Sequence, residues 1–468
     1  MRPADALPHC CPFYFHLHLG IPPNPFAMSL LYIYTLFFFF YSALCAQHCT
    51  MRSRINSTGS SKKLASDCRG VLDCNCSACA KEEAKATYML HTTHSYFDID
   101  YTTKQVTLSG MSTVGNTKGS AISLSGDASN GGYLNWVIAG NNETSLISSN
   151  PPQAWIQHVL PTFGDKPLRE FILPGSHDAG MSILNGTTLA SKECKTLTQS
   201  GSILSQLQTG FDIRPVISAG IFKAGHLLRL IGDFPSLCSG GNGEKLDDIV
   251  NDINTFTPGK AEIIVLRLSH DLNTDVGNAN YRPFNKDEVA RLFALLNNIK
   301  DLYVSPSPTV DLSALTLNQL TGNGKRSAVI IQLRLDSTEV NLTAAGLQGK
   351  GFFNYDQLPA YNEFSDSNDL DDMMEDQFAK MKEQRAQNAY FMLSFTLTQS
   401  ALNTASCPYL ADSIIQMAAP ARKALYTNLL PAVSGNTYPQ MMQIDDFSSA
   451  KDIVPLVLAV AYKVHAGL

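Results

Sequence analysis

From about residue 153 to the C-terminus, short apolar runs alternate with longer segments of helical spacing. The runs are FIL at 171–173, FDIRPVI at 211–217, EIIVLRL at 262–268, SAVIIQLRL at 327–335, AYFMLSF at 389–395 and PQMMQID at 439–445. Near-continuous apolarity over a strand's length predicts strands buried on both faces, the situation of a covered parallel sheet. Between them, NKDEVARLFALLNNI carries the marks of a helix: Asn285 caps it, Glu288 completes a capping box, and Val289, Leu292, Phe293 and Leu296 follow at helical spacing. This alternation predicts an α/β fold, a TIM-type (β/α)8 barrel over residues 151–468. Such barrels gather their active residues at the C-terminal ends of the strands. Several runs end in polar side chains: His177 and Asp178 after the first, Arg214 within the second, Ser269 and His270 after the third, Arg334 in the fourth, and Asp445 and Asp446 after the last.

Upstream the pattern changes. YFDIDYTTKQVTLSG and GGYLNWVIAG alternate apolar and polar residues between turn residues, predicting a small β module over 89–150 that ends at Pro151 and Pro152. Residues 47–88 are polar, rich in Ser and Cys, and show no period. Residues 1–46 form a leader. Its uncharged stretch MSLLYIYTLFFFFYSALCAQHC, with an apolar core at 29–44 and small residues at Ala43, Cys45 and Ala46, reads as a secretory signal. The same run is long enough to serve as an uncleaved anchor. No fixed-period repeat and no later transmembrane span is found.

Composition narrows the function. Of 468 residues, 44% are hydrophobic, enough for a large core, and 16% are charged, with a net charge of −6 and no basic block. Nucleic-acid binding is excluded on that ground, since phosphate backbones demand clustered Lys and Arg. Strong electrostatic docking on anionic membranes is excluded too; contact with a membrane surface is expected to be transient. Beyond the leader the cysteines are Cys49, Cys68, Cys74, Cys76, Cys79, Cys194, Cys238 and Cys407, an even set that predicts disulfides in an oxidising compartment. Sequons at Asn56, Asn75, Asn142, Asn185 and Asn341 fit a glycosylated extracellular product.

The chemistry concentrates in two stretches. REFILPGSHDAGM delivers His177 and Asp178 at a strand end, with Gly175 expected to let the backbone approach a ligand. FDIRPVISAGIFKAGHL supplies Asp212, Arg214 and His226. Asp212 and Arg214, two apart on a strand, share a face, and an ion pair between them is the plain structural reading. Together, two histidines and an arginine suit phosphodiester cleavage. One histidine takes a proton from the attacking hydroxyl and the other gives one to the leaving oxygen. A guanidinium holds the phosphoryl oxygens.

LPGSHDAGM, QL at 206–207, FDIRP at 211–215, GH at 225–226 and GGNGEKLDDIVNDIN resemble the phosphatidylinositol-specific phospholipase C X-domain superfamily. More closely, the chain is similar to secreted fungal-type phospholipase C-like phosphodiesterases over roughly residues 150–460. The resemblance implies His177 as general base on the inositol 2-hydroxyl, with Arg214 and Asp178 at the phosphorus and His226 as general acid. It also implies that Asp445, with Asp446 an equally close candidate, orients His177. Arg334 matches an inositol-contacting position, and Ser269, Asn362 and Phe364 fall on the substrate side. Asn362 and Phe364 stand where a carboxylate and a stacking tyrosine are usual. The segment before Asp212 is shorter than the family's, a departure that would displace Arg214 if strand two shifted.

Arg214 is expected to take the place of the cation of calcium-dependent relatives, leaving a site with no metal and no cofactor. The implied substrate is a phospholipid or another phosphodiester. Two other readings stand: a binding protein without turnover, and a metal-dependent glycerophosphodiesterase or sphingomyelinase D type, for which Glu262 is the one further acidic strand residue. Cys194 and Cys238 are expected to bridge at the rim, with Cys407 as competitor.

Overall fold

The computed structural model describes residues 146–465 apart from 190, 208–209, 230–237, 388–389, 400–406, 408–411 and 451. Before these it describes 50–51, 69–73, 85–89, 96–100, 103, 105–123 and 133–139. The leader, the cluster Cys68 to Cys79 and the sequons at Asn56, Asn75 and Asn142 lie outside the described residues. Among the described residues, no helix is long and apolar enough to cross a membrane.

The frame is a mixed α/β fold around seven parallel strands: β1 (Leu173–Ser176), β2 (Gly210–Ile213), β3 (Ile263–Ser269), β4 (Ala328–Arg334), β5 (Phe352–Asn354), β6 (Met392–Ser394) and β7 (Met441–Ile444). Their order is β5-β4-β3-β2-β1-β7-β6, every neighbour parallel. A bridge from Tyr361 to Phe391 runs the chain along the β6 side. Among the described residues no ladder joins β5 to that side, and the parallel sheet they form has seven strands.

The continuous apolarity has a direct cause. In β3, Ile264, Leu266 and Leu268 pack with helices Leu246–Phe256 and Lys286–Leu296, while Ile263 and Val265 face a second cluster. Both faces are covered, so successive side chains are apolar although their period is two. The expected capping box forms: Asn285 Oδ1 accepts from the Glu288 amide at 2.9 Å, and Glu288 reaches back to the Asn285 amide at 2.8 Å.

Three expectations are corrected. The first strand lies later than FIL, at Leu173–Ser176, because Leu168–Glu170 makes a 3-10 turn first. FDIRPVI is two strands, not one: after β2 the chain breaks at Arg214, and Pro215–Ser218 joins another sheet with Ile221–Arg229 and Cys238–Lys245. Gly175 serves strand packing rather than ligand approach. A Cβ there would lie 3.0 Å from Met441 Cγ, and its register partner Gly210 makes room for the same side chain.

Upstream, Lys85–Met89 pairs antiparallel with Tyr96–Asp100, and Arg69–Asp73 with Tyr133–Ala139. Val137, Ala139 and Ile147 belong to the same buried cluster as Trp155 and Tyr462, so this strand packs onto the main core.

Candidate active site

The chain leaves β1 directly into His177 and Asp178. The His177 amide donates to Ile444 O at 3.1 Å and the Ala179 amide to Asp212 O at 2.8 Å, which pins the turn to β7 on one side and β2 on the other. Asp178 adopts φ 40°, a left-handed conformation that Asp tolerates better than most residues.

Its carboxylate is fully buried and stands at the centre of the site. Arg214 Nε lies 2.9 Å from Asp178 Oδ1, while His177 Nε2 and His226 Nε2 lie 3.5 Å and 3.9 Å from Oδ2. Behind His177, Nδ1 donates to Asp445 Oδ1 at 2.8 Å. Behind His226, Nδ1 meets Thr196 O at 3.1 Å; a carbonyl only accepts, so Nδ1 carries the hydrogen. Both Nε2 atoms therefore face the same buried carboxylate.

These contacts set the charges. Burial disfavours a charged His177, but Asp178 and Asp445 together outweigh it and push the pKa up to about 9. Burial, reinforced by the positive charges of Arg214 and His177, holds His226 below the usual imidazole value despite Asp178. Burial opposes ionisation of Asp178 as well, yet Arg214 and the histidines hold its carboxyl below the ordinary carboxylate range. In the free site at neutral pH, the proton shared by the two histidines resides on His177.

A cleft of about 260 Å³ opens onto His177, Arg214, His226 and Asp445. One wall is apolar, with Phe364, Leu397 and Ile414; Lys195 and Asp366 stand at its polar edge. The Phe364 ring centroid lies 5.3 Å from that of His177.

The other site residues named from sequence fall differently. Asp212 does not pair with Arg214; it accepts from Ser269 Oγ at 3.3 Å and Gln443 Nε2 at 3.4 Å, because Arg214 has left the strand to meet Asp178. Ser269 thus contacts Asp212 and is not among the residues lining the cleft. Asn362 is turned to Ser394, whose hydroxyl it accepts at 2.7 Å, and Arg334 lies 4.8 Å over the Tyr355 ring; neither lines the cleft. Asp445 and Asp446 separate cleanly: Asp446 pairs with Arg422 Nη1 at 2.8 Å and accepts from Ser200 and Ser449, away from the histidines. Residues 208–209 of the shortened segment lie outside the described residues; after them β2 pairs with both β1 and β3. The disulfide joins Cys194 to Cys407, not to Cys238, which is a buried free thiol.

The apolar run of β3 conceals a buried Arg267, which does not line the cleft. It is 8% exposed, its Nε and Nη2 have no hydrogen-bond partner among the described residues, and it lies 5.9 Å from the Tyr390 ring. Its phase with Ile263 and Val265, inside an apolar run, was the available signal. The Thr196 carbonyl carried no signal, being a backbone atom brought close only by folding.

His177, Asp178 and Asp212 bring three donor atoms within 4.8 Å, the spacing of a metal site. The donor set fits a cation poorly. Asp178 is already matched to a guanidinium at 2.9 Å, and a metal needs neutral imidazole where this site favours imidazolium.

No family model matches the chain, and no curated protein does. Among solved structures, a phosphatidylinositol-specific phospholipase C from Staphylococcus aureus, studied for modulation of its membrane binding, is 14% identical with a TM-score of 0.45, covering 67% of this chain and 98% of that one. A pentafluoro-phenylalanine form of the Staphylococcus aureus enzyme gives 15%, 0.44, 67% and 98%. The apo form of a calcium-dependent phosphoinositol-specific phospholipase C from a Pseudomonas species gives 10%, 0.30, 62% and 94%. At such identities and scores the functional reading rests on the site itself.

Proposed function

We propose that this chain is a secreted phosphodiesterase of the phosphatidylinositol-specific phospholipase C type, akin to fungal-type members and built on a (β/α)8 barrel. It cleaves phosphatidylinositol or a glycosyl-phosphatidylinositol without a metal. The observation that carries the reading is the pair His177 and His226, both turning Nε2 toward the buried Asp178–Arg214 pair in one cleft.

In this reading Arg214 holds the phosphoryl oxygens as charge develops. His177, oriented by Asp445, takes the proton of the inositol 2-hydroxyl, whose oxygen bonds to phosphorus. The bond to the diacylglycerol oxygen breaks, and His226 protonates that oxygen. The products are diacylglycerol and a cyclic inositol phosphate, and proton exchange with water resets the histidines.

The productive state, His177 neutral and His226 protonated, holds as many protons as the resting state with the proton moved across. Between the two titrations its share is therefore constant with pH. With His177 raised to about 9, the productive arrangement is a minor one at neutral pH. The cleft, near 260 Å³, is smaller than the ~300–1,000 Å³ of pockets for drug-sized ligands and suits a head group rather than a whole lipid. Acyl chains then stay in the membrane, consistent with transient surface contact.

A second reading, an anion-binding protein without turnover, is favoured by the same protonated His177, which with Arg214 offers a cationic cradle. The metal-dependent reading loses support because Glu262 accepts from the Ile156 and Gln157 amides at a helix start, at the end of β3 remote from the cleft. Assays on phosphatidylinositol, a glycosyl-phosphatidylinositol-anchored protein and phosphatidylcholine decide the matter. Turnover of either inositol lipid supports the enzyme. Turnover of phosphatidylcholine alone contradicts it, and binding without turnover moves the assignment to the second reading.

A further inference from the structure

The segment from Cys194 to Ser200 crosses behind the candidate active site and touches His226, Asp178 and His177. Thr196 O receives the His226 Nδ1 hydrogen at 3.1 Å, Thr198 Oγ1 donates to Asp178 O at 3.0 Å, and Gln199 Nε2 donates to His177 O at 2.8 Å. This strap has little regular structure of its own, only the single helical turn Glu193–Thr196. Its first residue, however, is covalently tied to Cys407, which is 1% exposed. Gln399 reinforces the tie by donating to Cys194 O at 3.1 Å and to Asp412 O at 2.8 Å.

We propose that the Cys194–Cys407 disulfide is a positioning element for His226: it holds the strap so that the Thr196 carbonyl fixes the hydrogen on Nδ1 and leaves Nε2 facing Asp178 and the cleft. This rests on the reading of His226 as general acid. The reason is geometric. The hydrogen bond at Nδ1 sets which tautomer an imidazole holds and how its Nε2 is aimed. Here the Nδ1 partner is a backbone oxygen, so its place depends on how the strap is held: Thr196 is buried with its hydroxyl on Lys192 O, and the bridge anchors the strap's first residue. One residue, Lys195, separates it from Cys194, so the cross-link adds a covalent restraint to the hydrogen bonds that hold the rest of the strap.

The test is the Cys194→Ser/Cys407→Ser double variant of the full chain, which leaves the other cysteines untouched, studied well below its melting temperature. On phosphatidylinositol vesicles the expected result is a kcat lower by up to about a hundredfold with KM unchanged, the low end of what a positioned general acid contributes. In a His226→Ala background, cutting the bridge should then cost nothing further. Independently of turnover, nitrogen NMR of the His226 ring should show the Nδ1–H tautomer in the native protein and a mixture in the variant. An unchanged tautomer, or an equal loss of kcat with and without His226, overturns the proposal and leaves the bridge merely structural. If the double variant does not fold, Cys407→Ser alone cuts the same link and the same readouts decide. A native protein without turnover defeats the enzyme reading, while the ring signal still decides whether the bridge positions His226.

Discussion

Asp445 Oδ1 accepts the Nδ1 hydrogen of His177 at 2.8 Å, and this contact distinguishes two neighbouring carboxylates that are equivalent in sequence. Asp445→Asn removes both a charge and a charged acceptor that raise the His177 pKa. The sign follows: the alkaline limb of the kcat/KM profile should move down from about 9 toward the ordinary imidazole value. The rate should fall about ten- to a hundredfold as orientation is lost. Titration of the His177 ring by NMR checks the shift; an unmoved ring pKa contradicts the assignment.

Asp446→Ala should behave otherwise. It breaks a buried ion pair with Arg422, whose side chains are 5% and 9% exposed, a change worth about 3–5 kcal/mol. Denaturant unfolding should report that loss, while the alkaline limb stays in place in the folded fraction. A displaced limb with unchanged stability would reverse the two roles.

Arg214→Lys keeps a positive charge beside Asp178 and so should keep the fold. It loses the planar fork of donors, and kcat should fall about 10²–10³-fold with little change in melting temperature. Full activity in this variant would remove Arg214 from the chemistry.

What could be read from sequence divides along a physical line. Buried strands announced themselves because β3 carries apolar side chains on both faces, and the helix after Asn285 because its capping box is local. His177, Asp178, Arg214 and His226 were legible as a set because each closes or follows an apolar run. The pairing among them was not, since it depends on which way the chain turns. Arg214 leaves its strand and meets Asp178 rather than Asp212. Cys194 finds Cys407 rather than the nearer Cys238 for the same reason: partners distant in sequence are set by the fold.

Gly175 and Gly210 make a prediction about that frame. A Cβ at Gly210 has one close contact, the terminal methyl of Met441 at 2.7 Å, which can swing aside. At Gly175 it meets Met441 Cγ at 3.0 Å and Met442 O at 3.3 Å, which cannot move as freely. Gly175→Ala should therefore cost about 1–3 kcal/mol and Gly210→Ala less, with Met441→Ala relieving the first. Urea unfolding of the three variants and the double checks the order; a costlier Gly210→Ala would contradict it.

In the proposed mechanism a fixed guanidinium and two histidines cleave the phosphodiester unaided by a cation. Phosphorus NMR of the purified protein on phosphatidylinositol vesicles, with and without EDTA and beside His177→Ala, tests it directly. The account predicts a cyclic inositol phosphate that forms equally with EDTA and is absent in the variant. Turnover abolished by EDTA and restored by calcium would contradict it, since Arg214 would then not stand in the cation's place.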